Sequence, residues 1–111
     1  ESPSDYLGLC YDCGHGNMRS DGLDRMDAIK DRLVCIHFHD NDGEGDQHQL
    51  PFMGTVEWER LASILAASAY DLPIQMEVSM GNSGYEDETE FLNKAMEVGT
   101  RIDGFVQAAS V

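Results

Sequence analysis

Apolar residues fall in short runs separated by polar stretches, and the runs alternate between two periods. "LGLCYD" at 7–12 is a short apolar run that ends in an acid, and it predicts a strand. "CGHGNM" follows, with two glycines, and predicts a loop. "DGLDRMDAIKDRL" then carries Leu23, Met26, Ile29 and Leu33 at three- and four-residue spacing, the apolar stripe of an amphipathic helix. "LVCIHF" at 33–38 predicts a second strand, rich enough in apolar residues to be buried on both faces of a parallel sheet.

A long polar loop is expected from Asp40 to Thr55. It leads into a helix at 56–70 with Val56, Leu61, Ile64 and Leu65 facing the core. Thr55 is the expected N-cap, with Trp58 and Glu59 in the first turn. After Pro73, "IQMEVS" predicts a third strand and "GNSGYED" a loop. "DETEFLNKAMEVGTRIDGFVQA" predicts a closing helix with Phe91, Leu92, Ala95, Met96, Ile102, Phe105 and Val106 on its apolar face, and Gly99 lowers its helicity.

The order β-α-β-α-β-α implies an α/β fold with a parallel sheet covered by helices. The spacing suits βαβ crossovers of about 30 residues. At 111 residues one domain is expected. Three βα units fall short of a closed (β/α)8 barrel, which takes about 250 residues. The six methionines read as core or loop filler, Gly43 and Gly45 as loop flexibility, and Asp42 and Glu44 as solvent-facing.

Charge narrows the function classes. With 21 acids against 7 Lys plus Arg, the net charge of −14 repels phosphate backbones and anionic membranes. The expected partner is a small molecule, not nucleic acid or membrane. There is no apolar run of 18 residues, and the first residues lack the basic and apolar regions of a signal peptide, so a cytoplasmic protein is expected. Cys10 and Cys13 form a C-x-x-C with no second pair to complete a zinc knuckle. They are expected to be small buried thiols in a reducing compartment.

The chemistry gathers where strands end. The first strand ends in Asp12, with His15 three residues on; the second carries His37 and His39, then Asp40; the third carries Glu77. Parallel α/β sheets bind ligands at the carboxyl ends of their strands. Three successive strands therefore bring metal-ligand side chains to one rim. Mixed imidazole and carboxylate donors suit a divalent cation with an open position, Mn2+, Co2+, Zn2+ or Mg2+. His37 and His39 share a strand face, and either is a candidate ligand, with the other as its hydrogen-bonding support.

"DCGH", "IHFHDNDGEGDQH", "PFMGTVEW" and "IQMEVS", in this order, resemble the sugar-phosphate isomerase/epimerase group. These are xylose-isomerase-like TIM barrels, whose superfamily includes endonuclease IV. The resemblance runs from about residue 7 to 100 and implies the last three βα units of an eight-fold barrel. It further implies that Asp12, His37 and Glu77 bind metal and that Glu77 also serves as the proton-abstracting base. His15 would contact substrate, or metal as in endonuclease IV. Asp46 and His48 resemble that enzyme's D-x-H for a further metal, and Trp58 resembles an aromatic that packs at the start of the following helix.

Two departures qualify the resemblance. The glutamate ligand that family members draw from an earlier strand is outside this chain. The loop that would bring a substrate-binding arginine has no Arg or Lys between Arg32 and Arg60. Three functions are therefore expected in turn: a metal-dependent keto-sugar or sugar-phosphate isomerase/epimerase, a barrel fragment that self-associates or pairs with another chain, and an endonuclease IV-like phosphodiesterase.

Overall fold

The apolar runs near Leu9 and Leu33 pair as parallel strands, β1 (Leu9–Asp12) and β2 (Leu33–His37). The computed structural model describes residues 7–110. Parallel neighbours need a crossover. It is built here from α1 (Cys13–Asn17), α2 (Gly22–Ile29) and a 3-10 turn, Lys30–Arg32. The long polar loop then leads to α3 (Trp58–Ala66), and an extended stretch leads to α4 (Glu88–Ala109). The molecule is thus mixed α/β with a parallel sheet and flanking helices.

The strands do not pair in simple register. Leu9 faces Leu33, but Cys10 faces Cys35, Tyr11 faces Ile36 and Asp12 faces His37. Val34 is the extra residue of a bulge. This corrects the expectation that the second strand is buried on both faces. Leu33, Ile36 and Phe38 are buried, whereas Val34 is pushed outward and is 54% exposed.

The third expected strand shortens to one parallel bridge, Phe38 with Met76. Phe38 N–H donates to the Gln75 carbonyl (3.0 Å) and Glu77 N–H to the Phe38 carbonyl (3.1 Å). Beyond this the Ser79 N–H turns to the His48 carbonyl (2.7 Å). Pro73, just before the bridge, has no N–H to add to a ladder.

Two local expectations also change. The segment after β1 is not a loop but the one-turn helix α1, because the Asp12 carboxylate caps it by accepting the His15 N–H (2.8 Å). Thr55 does not cap α3. Glu57 occupies the N-cap position without a side-chain bond, and α3 begins at Trp58 and ends at Ala66. By contrast α4 is capped by a side chain. Asp87 accepts from Thr89 and Glu90, and Glu88 and Glu90 favour the helix dipole.

The main core packs Met26, Leu33, Ile36, Phe38, Trp58, Leu61 and Ile102 between sheet and helices. Phe38 and Trp58 stack with ring centroids 6.2 Å apart. A smaller cluster of Leu50, Phe91 and Val98 anchors the polar loop to α4. The methionines divide: Met26 is fully buried, while Met18, Met53 and Met96 are exposed. No helix among the described residues is long and apolar enough to cross a membrane.

Candidate metal centre

Asp12 closes β1 and is held from several sides. Its Oδ1 accepts the His15 N–H and lies 2.6 Å from His39 Nε2. Its Oδ2 faces His15 Nδ1 (3.4 Å) and His37 Nδ1 (3.5 Å). The bulge sets His37 directly across the ladder from Asp12. The same His37 Nδ1 lies 3.2 Å from Glu77 Oε2. One ligand atom each from Asp12, His37 and Glu77 lies within 4.8 Å of the others. Two carboxylates and one imidazole converge on one point, a donor set that fits a divalent cation with open positions.

His39 behaves differently. It is fully buried, and its ring lies parallel to that of His48 at 3.9 Å. With Nε2 on Asp12, its Nδ1 is buried without a hydrogen-bond partner. Gly14 makes room for this ring: a Cβ there would lie 2.4 Å or closer to it, well inside contact distance. A histidine that grips a carboxylate from behind has the geometry of an orienting partner.

The loop brings a second group to the same rim. Asp46 lies 3.1 Å from His15 Nε2 and 3.2 Å from His48 Nε2. His39, Asp46 and His48 also offer three ligand atoms within 4.8 Å of one another. His48 holds a left-handed backbone (φ 52°), and its Nδ1 is 2.8 Å from the Glu77 carbonyl oxygen. A non-glycine residue in that region is uncommon, and such strain clusters at functional sites.

Charge in this group is mutually arranged. Desolvation opposes the charged form of His48, but the Glu77 carbonyl and the Asp46 carboxylate outweigh it and raise its pKa above the ordinary 6.5. Desolvation likewise opposes ionised Asp46, yet His15 and His48 bring its pKa below the ordinary 3.8. His15 is the most open of the group, with its side chain 62% exposed between two carboxylates.

Asp40 does not reach this rim. It is fully buried, and its carboxylate accepts N–H groups from Asn41, Phe52, Val56 and the Trp58 indole. Trp58 therefore both packs and donates. Beside it, Asn41 donates to the Gly14 carbonyl and accepts from Asn17 and Gly43, tying α1 to the loop. Thr55 Oγ1 joins this network through Asn17 and Asn41. Neither Asn17 nor Asn41 stands out in the sequence; Asn17 ends α1, and Asn41 sits inside the run of ligand-type residues after β2.

Asp42 and Glu44 are exposed, as expected, and the Asp42 carboxylate collects the loop's own N–H groups. Gly43 is more than flexible spacing, because its φ of +86° strains any other residue. The thiols also depart from expectation. Cys13 is buried, but Cys10 is exposed and Cys35 half-buried, and all three are free. Burial of the sulfur and the neighbouring Cys35 push Cys10 up to about 11.

Residues 1–95 match the family model described as xylose isomerase-like TIM barrel. The chain belongs to this family. The xylose isomerase-like barrels include sugar isomerases and epimerases as well as endonuclease IV, and members commonly use divalent metals. A protein of Sinorhizobium fredii (strain NBRC 101917 / NGR234), named Uncharacterized protein y4fM, is 34% identical over 107 residues. That alignment covers 96% of this chain and 34% of the relative, so the chain spans about a third of that protein's length. No solved structure matches the chain significantly. The parallel strands and flanking helices are those of a partial barrel of this family.

Proposed function

We propose that this chain carries the metal-binding and proton-abstracting part of a sugar isomerase or epimerase site, acting on a keto-sugar or sugar phosphate. The observation that carries the reading is the convergence of Asp12, His37 and Glu77 from three successive βα segments. Asp12, His37 and Glu77 would hold a divalent cation, Mn2+, Co2+, Zn2+ or Mg2+. When bound, that cation supplies Lewis acidity to adjacent substrate oxygens.

Three of the chain's own residues have further roles. Glu77 is half-exposed at the rim and takes the proton alpha to the substrate carbonyl. His15, open to solvent between Asp12 and Asp46, donates a hydrogen bond to a substrate oxygen. His39 holds the Asp12 carboxylate in place from the buried side. A second acid-base group on the opposite face of the substrate is assigned to the remaining barrel strands. Pairing with another chain, or a second copy, is one way to supply them.

Titration of the 111-residue chain with Mn2+ by calorimetry tests this. Binding is expected, and Asp12→Asn and Glu77→Gln should each weaken it at least about tenfold. Incubation with ketohexoses in heavy water should introduce deuterium alpha to the carbonyl, and Glu77→Gln should abolish the exchange. Wild-type protein that binds no divalent cation overturns the reading.

The link of His15, Asp46 and His48 supports a second reading, a phosphodiesterase with further metals. The net charge of −14 counts against a DNA substrate. Cleavage of an abasic-site duplex that disappears in Asp46→Asn would favour this reading over the first.

A further inference from the structure

Two rungs before the carboxylate site, the same face of the sheet carries a different set of donors. Cys10 precedes Asp12 by two residues and Cys35 precedes His37 by two, so strand periodicity places both thiols on the site's face. The ladder sets Cys10 directly opposite Cys35, as it sets Asp12 opposite His37. His37 stands between the two sets. Its Nδ1 faces Glu77 and Asp12, and its Nε2 lies 4.0 Å from the Cys10 sulfur. The ligand atoms of Cys10, Cys35 and His37 fall within 4.8 Å of one another.

We propose that Cys10, Cys35 and His37 Nε2 form a second cation site, selective for a thiophilic divalent ion such as Zn2+. Donor softness argues for this assignment. Two sulfurs and one imidazole favour zinc-class ions over Mg2+ or Mn2+, whereas the carboxylate side favours harder ions. Geometry agrees. Tetrahedral zinc with ordinary Zn–S and Zn–N bonds separates a sulfur from a nitrogen by about 3.6 Å, so the observed 4.0 Å needs little movement.

In the 111-residue chain Cys10 is exposed and Cys35 and His37 are half-buried, which leaves the three donors open to an added ion. Each thiol releases its proton to solvent as its sulfur takes the ion. Cys13 is buried on α1 and takes no part. The two sites share His37 through opposite ring nitrogens, but Asp12 and Glu77 are not among the ligands here, so this site stands without the proposed sugar chemistry.

The test starts from the fully reduced 111-residue chain, titrated with Co2+ under anaerobic conditions. A near-ultraviolet thiolate-to-cobalt charge-transfer band should appear and saturate, and Zn2+ should displace it. Cys10→Ser and Cys35→Ser should each weaken Co2+ binding at this band at least about tenfold, with far-ultraviolet circular dichroism confirming the fold. Glu77→Gln should keep the band, which separates this site from the carboxylate site.

A second readout needs no variant. Zn2+ should slow alkylation of Cys10 and Cys35 in the wild-type chain, located by peptide mass spectrometry. Absence of the band, a band unchanged in the Cys10→Ser/Cys35→Ser double variant, or equal alkylation with and without Zn2+ overturns the proposal.

Discussion

Asp40 and His39 are both fully buried polar residues next to each other in the chain, yet they do different work. Asp40 is a closed unit. Each carboxylate oxygen receives two N–H groups, with distances between 2.8 and 3.1 Å. A buried carboxylate is tolerated when it is satisfied in this way. Asp40→Ala would strand those four donors inside the core and should cost about 4 kcal/mol, at about 1 kcal/mol or more for each donor left unpaired. Urea unfolding should show this as a lowered midpoint with an unchanged slope; a loss below about 1 kcal/mol would mean that water replaces the carboxylate. Residue type alone placed Asp40 among strand-end ligand candidates. The direction of its side chain depends on Phe52, Val56 and Trp58, which lie 12 to 18 positions away.

At the scale of elements, the register of β1 and β2 decides the site. Counted from the first rung, Asp12 is the third residue after Leu9, but its partner His37 is the fourth after Leu33. Without an absorbed residue, Asp12 would face Ile36 and the imidazole would turn to the opposite side. Val34 absorbs that residue, and its side chain lies largely in solvent. Deleting Val34 should therefore leave the Cys10–Cys35 and Asp12–His37 rungs intact. The shortened chain is expected to keep its circular dichroism spectrum and its Mn2+ affinity within about threefold, roughly 0.7 kcal/mol. Loss of cation binding in a folded deletion variant would contradict this account of the bulge.

On the whole-molecule scale, the described residues form a two-stranded parallel sheet, and several apolar side chains stay exposed. Residues 73–76 and one side of α4 leave a groove of about 540 Å³ lined by Ile74, Met76, Leu92 and Met96. Leu92 and Met96 are among the most exposed apolar side chains described. Exposed apolar patches favour pairing with another polypeptide, while the net charge of −14 opposes self-association. The two effects predict association that strengthens as salt screens the charge. Sedimentation equilibrium should show masses above the 12.3 kDa monomer that rise with ionic strength. The double variant Leu92→Glu/Met96→Glu should reverse them. A wild-type chain that stays monomeric at every salt concentration would show that this face needs no cover.

The alternation of apolar periods was enough to assign the α/β class and the order of the three longer helices and the two paired strands, because burial of one face imposes period 2 or 3.6 locally; the one-turn α1 has no such period and was read as a loop. The types of ligand residue at the strand ends were equally legible, since they follow directly in the chain. Tertiary structure alone decided which of them meet. The absorbed Val34 set Asp12 against His37, the Ser79–His48 bond ended the third strand after one bridge, and distant N–H donors drew Asp40 inward. Each of these depends on contacts between residues far apart in sequence, and no local period encodes such contacts.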